Sequence, residues 1–323
     1  MVNTIQTSRN NTAGSMKTWT RRDVVADAIA MMAVAKAGLG QAAPMTDEII
    51  DIHAHIISQD KGRYPSAPLG GHMSDFARDR PQSFEEYIAQ ADSAGVRKAA
   101  LVQVSTYYGI DNSYLADCIA KNPNRFVGVC SINTIAPDNV QVLDGWMRRG
   151  LSGLRIFLLP GDDDLLINPK ATPVWEYAAE KGITISISTR GPGVSQVPVL
   201  LQRYPTVKVI FDHTDFINLD EGPPYGNSQS FFDLAKFPNF YLKATPTTFR
   251  GGQVGRSTPQ AFIQKLVSVF GADHIAFGSD LPSAAGPLTK ILAEVQDGMA
   301  SLSAADRRII YAGTAKRLYP ALA

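Results

Sequence analysis

Eight short apolar runs, each followed by an amphipathic helical pattern, predict a single (β/α)8 barrel, the TIM-barrel architecture of the α/β class. Two further observations support it. The units fill residues 46–323, close to the ~250 residues typical of such a barrel. Residues able to do chemistry also recur where the runs end, which is where a parallel barrel gathers its site. An open doubly wound sheet is the rival, but it does not need eight units of this regularity.

The first strand begins near Ile49 and runs into Asp51-Ile52-His53-Ala54-His55. Alternate strand residues point the same way, so Asp51, His53 and His55 are expected to share one direction, over the barrel mouth. A long Gly- and Pro-containing segment, 58–83, follows and is expected to cover a substrate. A helix is predicted over Phe84 to Ala94, a strand near Lys98, and a helix over Ser113 to Lys121. The third strand begins near Phe126 and its helix spans Asn139 to Arg149. In the fourth, from Gly153, the apolar set Leu154, Ile156 and Leu158 turns Arg155 inward. A helix over Pro173 to Lys181 leads to the fifth strand. There Ile183, Ile185 and Ile187 are the apolar set, and Thr184, Ser186 and Ser188 face the interior. After a helix over Val197 to Arg203, the sixth strand begins near Val207 and closes with Phe211-Asp212-His213. A second long loop, 213–228, leads to a helix over Ser228 to Leu234. In the seventh strand Phe240, Leu242 and Ala244 leave Lys243 inward, and Pro259 to Phe270 is helical. The eighth begins near Ile275 and ends in Gly278-Ser279-Asp280, before a helix over Leu288 to Met299.

A purely structural barrel interior is filled by branched apolar side chains, and an unpaired inward charge is very costly. Arg155, Lys243, His213 and Asp280 therefore mark a functional site. Three of the chain's five histidines belong to it. His274 is expected to pack at the N-terminal rim, and His72 lies in the first long loop.

Composition excludes several classes. Net charge is +1, and no Lys/Arg run is dense enough for nucleic acid or an anionic membrane. No stretch is long and apolar enough to span a bilayer. Cys118 and Cys130 cannot form a disulfide framework or a zinc-type spacing; both are expected to be buried small hydrophobes. Residues 1–45 differ from the rest. Thr20-Arg21-Arg22-Asp23-Val24-Val25, an Ala- and Met-rich stretch to Leu39, and Gln41-Ala42-Ala43-Pro44 resemble a twin-arginine export signal. That implies a periplasmic or exported protein. Asp27 and Lys36 interrupt the apolar stretch, and the alternative is a cytoplasmic protein with a disordered extension.

Taken together, Ile49-Ile50-Asp51-Ile52-His53-Ala54-His55, Phe211-Asp212-His213, Gly278-Ser279-Asp280-Leu281-Pro282 and Gly313-Thr314-Ala315-Lys316-Arg317-Leu318-Tyr319 resemble the amidohydrolase superfamily. The likeness is to its aminocarboxymuconate-semialdehyde-decarboxylase-like branch. Val102-Gln103-Val104, Gly109-Ile110-Asp111-Asn112 and Gly153-Leu154-Arg155 look like the 2-pyrone-4,6-dicarboxylate lactonase group. Metal-dependent members of the branch carry a histidine ligand at the end of strand five. Here the chain reads Ile185-Ser186-Ile187-Ser188-Thr189-Arg190, as in the lactonase group, and the resemblance implies catalysis without a metal.

The resemblance thus implies a hydrolase that opens a lactone or related cyclic ester. Asp280 would activate water, and His53, His55 and His213 would donate to the carbonyl oxygen. Arg155 and Lys243 would hold an anionic group of a small-molecule substrate, with Tyr64, Ser188 and Arg190 as further binding residues. No cofactor is favoured. If a divalent ion such as zinc binds, His53, His55 and Asp280 are the available ligands, and a metal-dependent decarboxylase or hydratase is the alternative. The run Gly161-Asp162-Asp163-Asp164 stands where the lactonase group has another arginine nearby, which argues against a dicarboxylate. Superfamily members are often dimers or larger, and the resemblance thus allows a homodimer here.

Overall fold

The computed structural model describes residues 48–162, 164–189, 195–214 and 217–323; the export-signal-like segment lies outside them. The strands are β1 (Ile49–Ala54), β2 (Val96–Val102), β3 (Phe126–Cys130), β4 (Leu151–Phe157), β5 (Thr184–Ser188), β6 (Val209–Phe211), β7 (Phe240–Ala244) and β8 (Ile275–Phe277). They form one eight-stranded sheet in sequence order, with every consecutive pair parallel. Near-continuous burial along the strands follows, because a parallel sheet is covered on both faces. β8 returns beside β1, where the Asp280 amide donates to the His53 carbonyl at 2.6 Å and the His55 amide to the Leu281 carbonyl at 2.7 Å. Gly278 permits this approach, since a Cβ there would stand 2.6 Å from the Cβ of His53. The predicted barrel is present.

Helices fill the crossovers. α1 (Asp75–Asp79) and α2 (Phe84–Ser93) follow β1, and α3 (Ser105–Tyr108) and α4 (Ser113–Lys121) follow β2. α5 (Asn139–Arg148), α6 (Thr172–Lys181), α7 (Val197–Arg203) and α8 (Gln229–Phe232) follow β3 to β6 in turn. α9 (Pro246–Gly251) and α10 (Pro259–Phe270) follow β7, and α11 (Leu288–Gly298) follows β8. The short helices α1, α3 and α9 were not anticipated; at four to six residues they are too short to show a helical period. Ser83 and Glu86 form a capping box at the start of α2, which satisfies two amide donors that a helix end leaves free.

The barrel interior is divided. In the apolar part of the interior Ile50, Ile52, Val102, Val129, Ile210, Tyr241 and Ala276 pack in one cluster with Leu318, Tyr319 and Leu322 of the chain end. The chain end, α12 (Ala304–Arg308) and α13 (Thr314–Leu318) with a π-turn between them, thus covers this apolar part of the barrel. Thr184 at the start of β5 donates to the Leu318 carbonyl. Burial of each such large apolar side chain contributes ~1.5–3 kcal/mol. The opposite end is polar.

One expectation is corrected in β1. Asp51 pairs with Ala99 and Ala54 with Leu101, so three residues of β1 advance against two of β2. This bulge breaks the alternation. Ile52 and His53 both reach the interior, whereas Asp51 accepts from the Tyr87 hydroxyl of α2 at 2.9 Å. Asp51 also accepts from the amides of His53 and Ser279. It ties β1 to β8 and does not share the direction of His53. Both cysteines are buried and free.

Candidate active site

The polar end of the barrel is organised by Asp212, just beyond β6. Its carboxylate accepts from Arg155 Nε at 2.8 Å, Lys243 Nζ at 2.7 Å and Ser186 Oγ at 2.6 Å. All four side chains come from neighbouring strands and are turned inward by the period-two alternation that the sequence displays. Burial by itself would raise the Asp212 carboxyl, but Lys243 and Arg155 outweigh it and hold the group well below the usual carboxylate range. Burial pulls the Lys243 ammonium down, and Asp212 opposes that.

Lys243 has no exposed surface. Its Nζ lies 2.7 Å from Asp212 Oδ1, 2.8 Å from Ser186 Oγ and 2.8 Å from His53 Nδ1. An ammonium has three donors and no acceptor, so these three contacts saturate it. Lys243 therefore lies under the site as a buried support, out of reach of a substrate anion. His53 Nδ1 must accept, which puts the imidazole proton on Nε2. That nitrogen is buried, has no hydrogen-bond partner, and faces Asp280 Oδ1 at 3.6 Å.

His55 has the opposite tautomer. Its Nδ1 donates to the Val102 carbonyl at 2.8 Å, leaving Nε2 as an acceptor 3.7 Å from Asp280 Oδ1. Burial, then the Arg155 charge, hold it neutral, down to about 3. Burial and Lys243 likewise hold His53 well below the ordinary imidazole range. The expectation that both would donate to a carbonyl oxygen thus meets two obstacles: His55 presents an acceptor, and His53 lies beneath the cavity. His213 Nδ1 contacts Thr245 Oγ1 at 2.8 Å, and its ring is 5.0 Å from that of His53.

Asp280 and His213 both hold positive φ, 54° and 61°. Such backbone costs of order 1–3 kcal/mol for a non-glycine residue and gathers at functional sites. Here it carries the two side chains over the centre of the mouth. Burial pushes the Asp280 carboxyl up to about 7.

A cavity of about 220 Å³ opens over these groups. Asp280, His55, His213, Arg155 and Ser188 line it, with Thr189, Thr106 and Ser283. Asp280 is the one carboxylate among the described lining residues. The first long loop contributes Ser74 and Phe76, and the Phe76 ring stacks on His55 at 5.8 Å. Tyr64 is elsewhere. It donates to Asp117 at 2.7 Å and lines a separate cavity that contains none of the other predicted site residues. Arg190 lies outside the described residues. His274 bonds the Phe240 carbonyl and stacks on Tyr241, and His72 is exposed. The role of Asp212 was missed. Its signal was present, as an acid at a strand end between the inward cations Arg155 and Lys243.

The same groups form a donor set of the kind that holds a divalent metal. One ligand atom from each of His53, His213 and Asp280 falls within 4.8 Å of the others, and two imidazoles with a carboxylate suit zinc by type. The unpartnered Nε2 of His53 is the atom that would ligate. The set therefore fits a divalent ion, with His213 in place of the expected His55. Use of His53 Nε2 requires its proton to leave, so binding there is tied to proton release.

Comparisons with known proteins agree with this fold. The family model described as amidohydrolase matches residues 50–321. No curated protein matches. Among solved structures, a probable 2-pyrone-4,6-dicarboxylic acid hydrolase from Acinetobacter baumannii, with citric acid bound, is 18% identical with a TM-score of 0.66, covering 84% of this chain and 99% of its own. An amidohydrolase from Burkholderia multivorans with bound zinc is 18% identical with a TM-score of 0.68, at 84% and 99% coverage. The 5-carboxyvanillate decarboxylase of Sphingomonas paucimobilis is 17% identical with a TM-score of 0.60, again at 84% and 99%.

Proposed function

The chain belongs to the amidohydrolase family, and from that premise we propose that it is a hydrolase opening a lactone or related cyclic ester of a small organic acid. The observation that carries this reading is Asp280, the sole carboxylate among the described lining residues, beside the acceptor nitrogen of His55. A water has two hydrogens to place, and Asp280 and His55 offer two acceptors. Asp280 takes one proton as the water oxygen bonds to the carbonyl carbon. His213 and Arg155, which line the same cavity, stabilise the oxygen where negative charge develops. Collapse breaks the ester C–O bond, and Asp280 returns the proton to the leaving alkoxide. His53, Lys243 and Asp212 act through Asp280 as positioning residues. Arg155 also receives an anionic group of the substrate.

A second reading, a metal-dependent decarboxylase, is favoured by the grouping of His53, His213 and Asp280 and by the zinc-containing and decarboxylase neighbours. An ion held there would supply Lewis-acid polarisation of a substrate oxygen. In that case Arg155 and Ser188 would still orient the substrate. A panel of lactones and aromatic carboxylic acids separates the readings, with pH-stat detection of acid release and of CO2 loss, before and after chelator dialysis. Acid release from lactones that survives chelation is expected. Chelator-sensitive CO2 release with no lactone opening would overturn the hydrolase reading.

A further inference from the structure

We infer that the substrate carries an apolar substituent of several carbons, seated in a second cavity beside the catalytic one. This rests on the hydrolase reading for the reacting group, but the cavity argues its own contents. It measures about 270 Å³ and shares Arg155 and Phe157 with the catalytic cavity of about 220 Å³. Small-molecule sites usually occupy ~300–1,000 Å³. Neither cavity reaches that range alone, and together they fall inside it.

The lining is mostly apolar, with Leu69, Ile110, Ile132, Ile135, Ile156 and Leu165, and carries Ser131, Asn133 and Thr134 as neutral polar residues on the β3 side. Arg155 is the only cation among the described lining residues, and it stands at the shared wall. Asp162 is an anion within the cavity wall, fixed where it accepts from the Leu159 amide at 2.8 Å. A second carboxylate on the substrate would meet the like charge of Asp162 there, with Arg155 at the shared wall as the single cation, which costs affinity. An alkyl or aryl group would replace water against aliphatic side chains instead.

The wall is built by close packing of the first long loop onto the segment after β4. Gly70 has φ +64°, and a Cβ there would stand 2.7 Å from Leu159 Cδ1. Ile110 is 47% exposed at the rim. A single exposed isoleucine means little by itself. At the mouth of an aliphatic cavity that shares Arg155 and Phe157 with the catalytic one, it extends the surface an incoming chain would meet.

Two measurements on the full chain test this. Calorimetry of acetate, hexanoate, octanoate and decanoate with Asp280→Asn reads the cavity without turnover. Affinity is expected to rise about fourfold per buried methylene until the cavity is full. Ile110→Asp and Leu165→Asp are expected to flatten that rise. Lactone opening is then followed from γ-butyrolactone to γ-decalactone in the unsubstituted enzyme, where kcat/KM should climb with chain length. Affinity independent of chain length, or a rise unchanged in both variants, would overturn the inference. Steep binding with no lactone opening would overturn the hydrolase reading and leave the cavity assignment standing. Lactone opening with flat binding would do the reverse.

Discussion

Replacing Asp212 with asparagine should remove a large part of the protein's stability. The carboxylate has no exposed side-chain surface and compensates two cations, Arg155 and Lys243, at 2.8 and 2.7 Å. Asparagine keeps the shape but loses the charge, and its NH2 group would face a donor on one side. Breaking a buried pair by removing one partner costs ~3–5 kcal/mol, set against a total of ~5–15 kcal/mol for ordinary domains. Urea unfolding at pH 7 would measure the loss, with Asp117→Asn as the control. Asp117 contacts Arg63 and Arg149 with 31% of its side chain exposed, and the asparagine keeps an oxygen to accept from the Tyr64 hydroxyl, so that change should cost ~0–1 kcal/mol. The pH dependence has a definite sign. Asp212 is held below its ordinary range, so its contribution is complete above the unfolded carboxyl value of ~3.9 and fades as pH falls below it. The gap between native protein and variant should stay constant from pH 6 to 8 and narrow only below about pH 4. Adding Lys243→Met to Asp212→Asn should recover stability, because it removes an unpaired cation. A loss no larger than that of Asp117→Asn, or further destabilisation in the double variant, would refute the argument.

Three other outcomes follow from the site. Asp280→Asn should lower turnover by about 10²–10⁴-fold while substrate still binds; in the native enzyme, kcat/KM should rise with pH through a midpoint near 7, since the base must be ionised and burial pushes it there. A pH profile flat from 5 to 9 would count against Asp280 as base. Lys243→Met should free His53 Nδ1 to hold the proton, visible as a tautomer change in ¹⁵N spectra, and should tighten zinc binding on the order of tenfold, the scale on which outer hydrogen-bond partners change metal affinity. Unchanged spectra and affinity would sink the tautomer assignment. Gly278→Ala would place a Cβ 3.2 Å from the His53 amide nitrogen and 2.6 Å from its Cβ. A loss of ~1–3 kcal/mol in chemical unfolding, with reduced activity, is expected; a neutral substitution would show that the seam between β1 and β8 is looser than described.

Much of the fold could be read locally. The alternation of Leu154, Ile156 and Leu158 against Arg155 is a property of one strand, as is that of Phe240, Leu242 and Ala244 against Lys243. Both cations do point inward. Strand-to-helix rhythm likewise settled the barrel, because a parallel sheet with short crossovers leaves few other closures. The bulge in β1 was not legible, since it exists only as a mismatch with β2, and it moved Asp51 onto a different partner from His53.

The sequence by itself determined the barrel, the inward direction of Arg155, Ser186 and Lys243, and the gathering of His53, His55, His213 and Asp280 at the polar end. Tertiary structure alone decided which of them line the cavity. Lys243, expected to hold an anion, is saturated by Asp212, Ser186 and His53, and Tyr64 pairs with Asp117 away from the cavity. The proton positions on His53 and His55 were decided there too, by Lys243 and by the Val102 carbonyl. Residue type and spacing fix a side chain's direction, because alternation is a local backbone property. Its protonation, tautomer and access depend on neighbours brought from 47 and 190 residues away, and no local pattern encodes those distances.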